Sequence, residues 1–134
     1  MTHDISISYK KEAARLAALN RTEQDLEEMN KALDEYEQKL QAGENAVDED
    51  LNFHIKIAEA SRNTVLKSLM LIITPDIANS FIKFKVCDDS NNLKTIEEHR
   101  AILEMISRRD ASASVEAMSV HLQAIHEFSN NFKR

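Results

Sequence analysis

Residues 22–43 read TEQDLEEMNKALDEYEQKLQAG, and this stretch decides the fold class. Its apolar side chains recur at spacings of three and four, which places them on one face of an α-helix. They are Leu26, Met29, Leu33, Tyr36 and Leu40. Thr22 and Asp25 form a capping-box pattern at the start, and Gly43 stands where a helix would stop. The stretch therefore predicts an amphipathic helix that ends at about residue 41.

The composition extends this prediction to the whole chain. The 134 residues include one Gly and one Pro, whereas the tight turns of a β-rich fold depend on both residue types. Ala, Leu, Glu, Lys, Gln and Met supply strong helix formers throughout. Because few turns imply long elements, we predict an all-α protein. Long helices with short connections further imply an antiparallel bundle.

Five further helices are predicted from the same signals. Asn63 and either Asp110 or Ser112 are expected to cap two of them, and Pro75 should kink the one that follows Asn63. That helix is apolar almost all round, which predicts a central, buried position. The predicted ranges are about 9–19, about 47–60, 63 to about 87, 93 to about 109, and about 111 nearly to the end, with a loop at residues 88–92. No linker or repeat interrupts the chain, so residues 1–134 are expected to form a single domain.

Charge and cysteine content exclude several classes of protein. A formal charge of −6 disfavours binding of this chain to a nucleic-acid backbone. The single cysteine, Cys87, excludes an internal disulfide and a cysteine-based zinc cage. No apolar run is long enough for a signal peptide or a membrane span. We therefore expect a cytoplasmic protein that makes no membrane contact.

Three histidines lie inside apolar stripes on three different predicted helices. With about 100° per residue, the positions within about 60° of His54, His99 and His121 are mainly Val, Leu, Ile, Ala, Met and Phe. Asp50, four residues before His54, lies on the same face at about 40°. His126 is about 140° from His121 and belongs to the solvated face. Three imidazoles and one carboxylate are thus directed toward the interior.

An inward-facing carboxylate needs compensation, and a metal ion would supply it. A single inward histidine is more often a core residue bonded to a carbonyl group, and that interpretation stays open for each ring taken alone. Together, three imidazole nitrogens and a carboxylate oxygen form a good ligand set for a divalent transition ion. We predict one ion per chain, with Zn²⁺ as the first choice and Ni²⁺, Mn²⁺ or Fe²⁺ as alternatives. The predicted ligands are Asp50, His54, His99 and His121.

Two sequence blocks around these residues resemble a known family. Residues 50–63, DLNFHIKIAEASRN, resemble the D-x-x-F-H pattern, with the Ala, Ser and Asn that follow it, of the FadR C-terminal domain (FCD). Residues 98–103, EHRAIL, and then Asp110 and residues 118–122, MSVHL, resemble that family's later E-H-x-x-I-L … D … M-x-x-H-L stretch. Residues 13–22 are similar to its opening helix. FCD is the effector-sensing domain of one branch of the GntR superfamily of bacterial transcription regulators.

The resemblance implies both a fold and a function. The fold would be an antiparallel bundle of six to seven helices. An Asp and three His bind zinc or nickel in many members, and by motif these fall on the four residues predicted above. The resemblance also implies a homodimer and a small carboxylic acid that completes the metal coordination. DNA would be bound only through a separate winged-helix domain, which is absent from this chain.

One departure from the family concerns the cation that holds the acid. Where the family has Arg-x-x-Leu-Glu, this chain has Ser6, Tyr9 and Lys10, so the cation would be Lys10, Lys83 or another residue. Asn63 is also explained as a helix cap. Asn79 and Ser80, which follow the predicted kink at Pro75, could equally lie on a solvent-exposed edge of the helix. The candidate effector-binding residues are Asn63, Asn79, Ser80 and Lys83.

Three functions are compatible with these patterns. The first is a metal-dependent carboxylic acid sensor of a transcription regulator, which is not an enzyme. The second is a metal-dependent hydrolase that uses metal-activated water, and it needs a general base. No motif supplies such a base clearly, since Glu98 lies at about 100° from His99 on the wheel. The third is a metal-free helical dimerisation module.

Overall fold

A computed structural model describes the backbone of residues 2–72 and 89–132, and the side chains of residues 8–72 and 93–123. Within these ranges the chain forms six helical segments and no strand, which confirms the all-α prediction. The segments are α1 (Thr2–Asn20), α2 (Glu23–Gln41), α3 (Val47–Ala60), α4 (64–72), α5 (Asp89–Ser107) and α6 (Ala111–Phe132).

The first helix lies at the centre of the packing. It contacts α3, α5 and α6, while α2 packs against α3 and α5. The buried face of α1 is made largely of alanine, including Ala13, Ala14 and Ala17. Such small side chains let neighbouring helices approach closely. Larger residues of the other helices, among them Met29 and Ile57, fill the remaining interior.

Short connections end in defined caps. Thr22 and Asp25 form the predicted capping box, with the Thr22 Oγ1 accepting from the Asp25 amide at 3.0 Å and the Thr22 amide donating to Asp25 Oδ2 at 2.9 Å. Asp110 caps α6, since its Oδ1 accepts from the Ala113 amide at 3.0 Å. Gly43 follows α2 with a φ of 73°, the left-handed conformation in which glycine commonly ends a helix.

Two predicted boundaries were wrong. The first helix begins at Thr2 rather than near residue 9, because Thr, Ser and Ile in residues 2–8 have modest helix propensity and gave no signal. The fifth helix begins at Asp89, within the loop predicted at residues 88–92. Asp, Ser and Asn favour turns and caps, but here they form the first turn of α5.

The fourth helix differs from its prediction in the part that is described. Leu66 and Met70 are buried, but Val65 and Ile72 are 65% and 71% exposed. The described part of α4 therefore buries one face, whereas the sequence predicted that it would be buried on all sides. Apolar side chains can stay exposed because apolar atoms also form much of a protein surface. The Pro75 kink and the continuation predicted after it lie outside the described residues. No helix in the described ranges combines the length and apolarity needed to cross a membrane.

Candidate metal centre

Three helices bring the four predicted donor residues to one point in the interior. Asp50 and His54 lie on α3, His99 on α5 and His121 on α6. One ligand atom from each residue can be chosen so that all four lie within 4.8 Å of one another. The three imidazoles are buried, whereas the Asp50 side chain keeps 30% of its accessible surface. The cluster is thus interior but open on the side of the carboxylate.

The turn of α3 from residue 50 to residue 54 supplies two of these donors. A spacing of four residues places both side chains on one face of the helix, and Asp50 Oδ1 lies 3.5 Å from His54 Nε2. Phe53 is fully buried beside them. Its ring centroid lies 5.8 Å from that of His54 and 5.4 Å from that of His99, so an apolar wall holds both imidazoles.

The orientation of His99 is set by a backbone carbonyl. Its Nδ1 lies 2.7 Å from the carbonyl oxygen of Thr95, and because a carbonyl only accepts, Nδ1 carries the hydrogen. The Nε2 of the neutral ring then presents a lone pair, 2.5 Å from Asp50 Oδ1. Two acceptors at this distance need a proton between them, and a metal ion bound by both atoms would hold them farther apart. Tyr36 supports the ring, with centroids 4.7 Å apart.

His121 is oriented by a carboxylate. Its Nδ1 lies 3.0 Å from Glu98 Oε1, while its Nε2 is buried and has no hydrogen-bond partner among the described residues. The ring is stacked on His54, with an interplanar angle of 11°. A metal-bound histidine commonly donates its other ring N–H to a carboxylate or a carbonyl. His99 and His121 both have this arrangement.

The surroundings favour neutral imidazoles and an ionised carboxylate. Burial lowers the pKa of His54, although Asp50 opposes the shift. Burial also holds the pKa of His121 well below its usual range, and the charges of His99 and His54 add to the effect. Burial alone would raise the pKa of Asp50, but the hydrogen bonds and charges of His54 and His99 hold that pKa well below its usual range.

These shifts compete, because a neutral His54 cannot also supply the positive charge that keeps Asp50 ionised. The contact of His99 Nε2 with Asp50 Oδ1 needs a proton between the two atoms in the absence of a metal ion. A bound cation would take the place of that proton, satisfy the carboxylate and leave the rings neutral, as metal ligation requires. The donor set therefore fits a divalent ion.

A buried lysine adds positive charge beside the cluster. Lys10 of α1 is 5% exposed, and burial lowers the pKa of its ammonium group while Asp50 opposes the shift. After burial, the charge of Lys10 is a further cause of the lowered pKa of His54 and of His121. The first helix thus directs a cation toward the centre that α3, α5 and α6 build.

The ligand chemistry narrows the choice of ion. Three imidazole nitrogens and one carboxylate oxygen suit Zn²⁺ and related transition ions. No thiolate belongs to the cluster within the described ranges, so an iron–sulfur centre does not fit, and the nitrogen-rich set does not suit Ca²⁺. Such an ion would act as a Lewis acid toward an anionic oxygen at coordination positions that the protein leaves open.

Of the remaining predicted site residues, only Asn63 lies within the described part of the chain, and it is not part of this cluster. Asn63 caps α4, with its Oδ1 accepting from the amides of Val65 and Leu66 at 3.0 and 3.1 Å. The other three predicted effector-binding residues lie outside the described side chains: Asn79, Ser80 and Lys83.

Sequence reasoning missed the roles of Glu98 and Tyr36. Tyr36 belongs to the apolar stripe of α2 and Glu98 flanks the stripe of α5, and a single wheel does not show which neighbouring helix either residue meets. Glu98, considered above as a general base, already accepts the N–H of His121 through Oε1. Burial raises the pKa of Glu98, with Lys94 and His99 opposing. The position of Glu98 directly before His99 was the only signal in the sequence that could have pointed to a role near the centre.

The chain matches a known family and several curated relatives. A family model described as the FCD domain matches residues 10–124. The Uxu operon transcriptional regulator of Escherichia coli K12 is 33% identical over 127 residues, which cover 87% of this chain and 49% of the relative. The Galactonate operon transcriptional repressor of the same organism is 29% identical over 104 residues, which cover 78% and 45%. The chain thus spans about half the length of the curated relatives it matches.

Structural similarity agrees with this family. Streptococcus agalactiae GntR superposes with a TM-score of 0.82 at 23% identity, covering 94% of this chain and 56% of that structure, and this likeness shows the fold. Because the relatives are named as transcription regulators, the domain is regulatory rather than enzymatic. With the family model spanning most of its length, the chain belongs to the FCD domain family of GntR-type transcription regulators.

Proposed function

We propose that this FCD domain senses a small carboxylic acid through one bound divalent metal ion. The observation that carries the proposal is the convergence of four donor atoms within 4.8 Å of one another, while His99 and His121 hold their ring hydrogens on the Nδ1 atoms, away from the centre. A cation among these donors would be ligated by the Nε2 lone pairs of both rings and would replace the proton that His99 Nε2 and Asp50 Oδ1 otherwise share. The proposed ligands are Asp50, His54, His99 and His121.

Zinc is the proposed ion, and Ni²⁺, Mn²⁺ or Fe²⁺ are the alternatives. Zinc accepts three histidines and one carboxylate, and it tolerates an added ligand by expanding its coordination. The other three ions accept the same donors when exogenous oxygens complete an octahedron. A carboxylate effector would supply such oxygens, so the identity of the ion and the binding of the acid are linked.

The charge around the centre favours an anionic effector. A divalent ion exceeds the single negative charge of Asp50, and Lys10 adds a buried positive charge nearby. The partly exposed side of Asp50 offers an approach to the ion. One relative is named for a galactonate operon, and galactonate is a carboxylate that carries several hydroxyl groups. We therefore propose a small, hydroxylated carboxylic acid as the first class to test.

The proposed regulator binds DNA through a winged-helix domain outside the 134 residues of this chain. The formal charge of −6 makes the sensor itself a poor partner for DNA, and its curated relatives are about twice as long. We further propose that the domain forms a homodimer in the bacterial cytoplasm. Binding of the acid would then change how two DNA-binding domains are held.

Metal analysis tests the first half of the proposal. Protein purified without added metal, or loaded with Zn²⁺ and then desalted, should contain about one ion per chain by elemental analysis and native mass spectrometry. His99→Ala should abolish the bound ion. Ser114→Ala is the matched control, because Ser114 is buried on α6 but bonds only locally to the Asp110 carbonyl. Full metal content in His99→Ala would refute the site, and metal-free wild type would favour the dimerisation module.

Titration with carboxylates tests the second half. Galactonate and acetate, added to zinc-loaded protein, should bind with measurable heat, and chelated protein should bind neither. Lys10→Met should keep its zinc but bind galactonate about 10–100-fold more weakly, as expected for loss of one charge-assisted contact. If Lys10→Met bound the acids as tightly as wild type, Lys10 would not hold the effector. If zinc-loaded wild type bound no carboxylate, the proposed effector class would be wrong.

A further inference from the structure

Glu98 links two helices of the metal centre without belonging to the donor set. It directly precedes His99 on α5, and successive residues of a helix point about 100° apart. His99 therefore faces α3 and Asp50, while Glu98 faces α6 and bonds to His121. The Glu98 side chain is 11% exposed. Two neighbouring residues thus contact two different donors.

The bond from His121 to Glu98 selects a tautomer. When Glu98 is ionised it has no hydrogen to donate, so the hydrogen of the neutral ring then lies on His121 Nδ1. The Nε2 atom must then present its lone pair, and this is the buried atom that has no hydrogen-bond partner in the described part of the chain. Which ring nitrogen of a histidine binds a metal is set by the hydrogen bond of the other. Glu98 therefore prepares His121 for coordination through Nε2.

We propose that Glu98 is the positioning residue of the metal centre: it fixes the tautomer and orientation of His121 and strengthens this ligand by its negative charge. The inference rests on the proposed metal site and adds a residue to it. Outer carboxylates of this kind raise the basicity of a histidine ligand. Glu98 would also offset part of the positive charge that Asp50 leaves on the ion, and the charge of Lys10 would remain to attract an anionic effector.

A purely structural role for Glu98 explains less. The Glu98 Oε2 atom is buried and lacks a hydrogen-bond partner among the described residues, and an unpaired buried oxygen of a carboxylate is unfavourable. A glutamine or a backbone carbonyl could accept the His121 N–H without introducing a charge, as the Thr95 carbonyl does for His99. The negative charge becomes more favourable when a cation lies close to it, and Lys94 compensates it only in part, since the pKa of Glu98 stays raised. A metal ion bound by His121 would add a second, nearer positive charge.

Substitution of Glu98 separates these two roles. Glu98→Gln keeps the shape and an oxygen acceptor but removes the charge, and the Kd for Zn²⁺, measured by competition with a chromophoric chelator, should rise about 10–100-fold. The apo protein should be as stable as wild type or more stable, because a buried charge is removed. Glu97→Gln is the matched control, since it makes the same change of charge at the adjacent, exposed position and should leave the Kd unchanged.

The tautomer of His121 supplies a readout that does not depend on metal binding. Long-range ¹⁵N–¹H NMR spectra of the apo protein should show the hydrogen on Nδ1 in wild type, with Nε2–H appearing in Glu98→Ala. If wild type bound no Zn²⁺, the sensor proposal would fail, yet a tautomer that changes with Glu98 would still support its positioning role. Unchanged zinc affinity in Glu98→Gln, together with an unchanged tautomer in Glu98→Ala, would overturn the inference and leave the sensor proposal intact.

Discussion

Two polar regions of the molecule are built on opposite principles. At one end of the bundle, α1, α3 and α5 terminate close together, and Asn20 and Arg21 donate to backbone carbonyls there, at 2.9 Å to Ser61 and 2.6 Å to Ser107. We call these four residues the helix-end cluster. Arg21 also pairs with Glu23 at 2.8 Å. In the metal centre, by contrast, imidazole nitrogens and the Asp50 carboxylate converge on one point, and His99 Nε2 lies 2.5 Å from Asp50 Oδ1.

The difference separates stability from function. The helix-end cluster supplies donors to carbonyls that helix termini leave free, so its polar groups hold the helices together, although Arg21 Nε is unpaired among the described atoms. The metal centre gathers lone pairs in a buried place, where unpaired polar atoms are unfavourable. We infer that the helix-end cluster stabilises the fold by itself, whereas the metal centre stabilises it only with a cation bound.

Removal of the ion should have the largest effect. Free Zn²⁺ at 1,000 times its Kd would stabilise the folded state by about 4 kcal/mol, which for a domain of this size corresponds to roughly 15 °C in Tm. Thermal unfolding with excess Zn²⁺ and with EDTA measures the difference. Ser114→Ala should show the same difference between the two conditions as wild type, and His99→Ala should show none. Equal Tm values of wild type with and without chelator would contradict the comparison.

One substitution in each region should have opposite effects on the stability of the apo protein and on zinc binding. Arg21→Ala leaves the Ser107 carbonyl without its donor, so we expect a loss of about 1–3 kcal/mol in unfolding free energy and an unchanged zinc affinity. Asp50→Asn should do the opposite. Its amide can donate to His99 Nε2, which should stabilise the apo protein by about 1 kcal/mol while zinc binding is lost. Denaturant unfolding of the apo proteins and chelator competition measure both quantities. A destabilised apo Asp50→Asn would mean that Asp50 serves the fold.

Acidification should weaken the metal centre and spare the helix-end cluster. The pKa values of His54 and His121 are lowered in the folded state, so the unfolded chain binds more protons below the ordinary histidine pKa. The unfolding free energy of the apo protein is therefore full above that value and falls as the pH decreases below it, by at most about 1.4 kcal/mol per pH unit for each ring. Protons also compete with the ion for the same nitrogens, so zinc should be released over this range.

The lowered pKa of Asp50 does not alter this expectation. The titration of Asp50 lies below this range, because its pKa is held well below the usual carboxyl value. Unfolding of the apo protein between about pH 7 and pH 5 thus reports the histidines, opposed by Glu98, whose raised pKa favours the folded state at lower pH. His54→Gln should flatten the dependence, whereas Arg21→Ala should shift the whole curve without changing its slope. A pH-independent stability of apo wild type would show that the rings are not held neutral.

Helical periodicity selected the four candidate donors, and together with the composition it predicted the fold class. Asp50 and His54 share a face because they are four residues apart, and His99 and His121 sit in apolar stripes that had to face the interior. That these stripes converge at one point depends on how helices cross, which a wheel does not contain. The family resemblance supplied this step, and the structure brings the four ligand atoms within 4.8 Å of one another.

The features missed from sequence depend on contacts between helices or on weak local signals. Glu98 flanks a stripe, and only the position of α6 turns it into the partner of His121. The early residues of α1 have little intrinsic helix preference, yet α1 begins at Thr2. Lys10 was considered only because of the family's missing arginine, and its burial beside the centre required the packing of α1. Helical periodicity along each segment thus predicts the donor residues, whereas the contacts between helices determine the positions of Glu98 and Lys10.

The smallest effect is expected at Asn63, where a cap and a ligand contact were both predicted. Its side-chain oxygen accepts from the Val65 and Leu66 amides at the start of α4, so Asn63→Ala should lower the unfolding free energy by about 1 kcal/mol. Zinc and galactonate affinities should stay at wild-type values, which would mean that Asn63, like the helix-end cluster, serves stability and not ligand binding. Asn63→Asp is the matched variant, because aspartate caps equally well and should restore stability. Weaker galactonate binding in Asn63→Ala, with normal stability, would instead assign the side chain to the effector pocket.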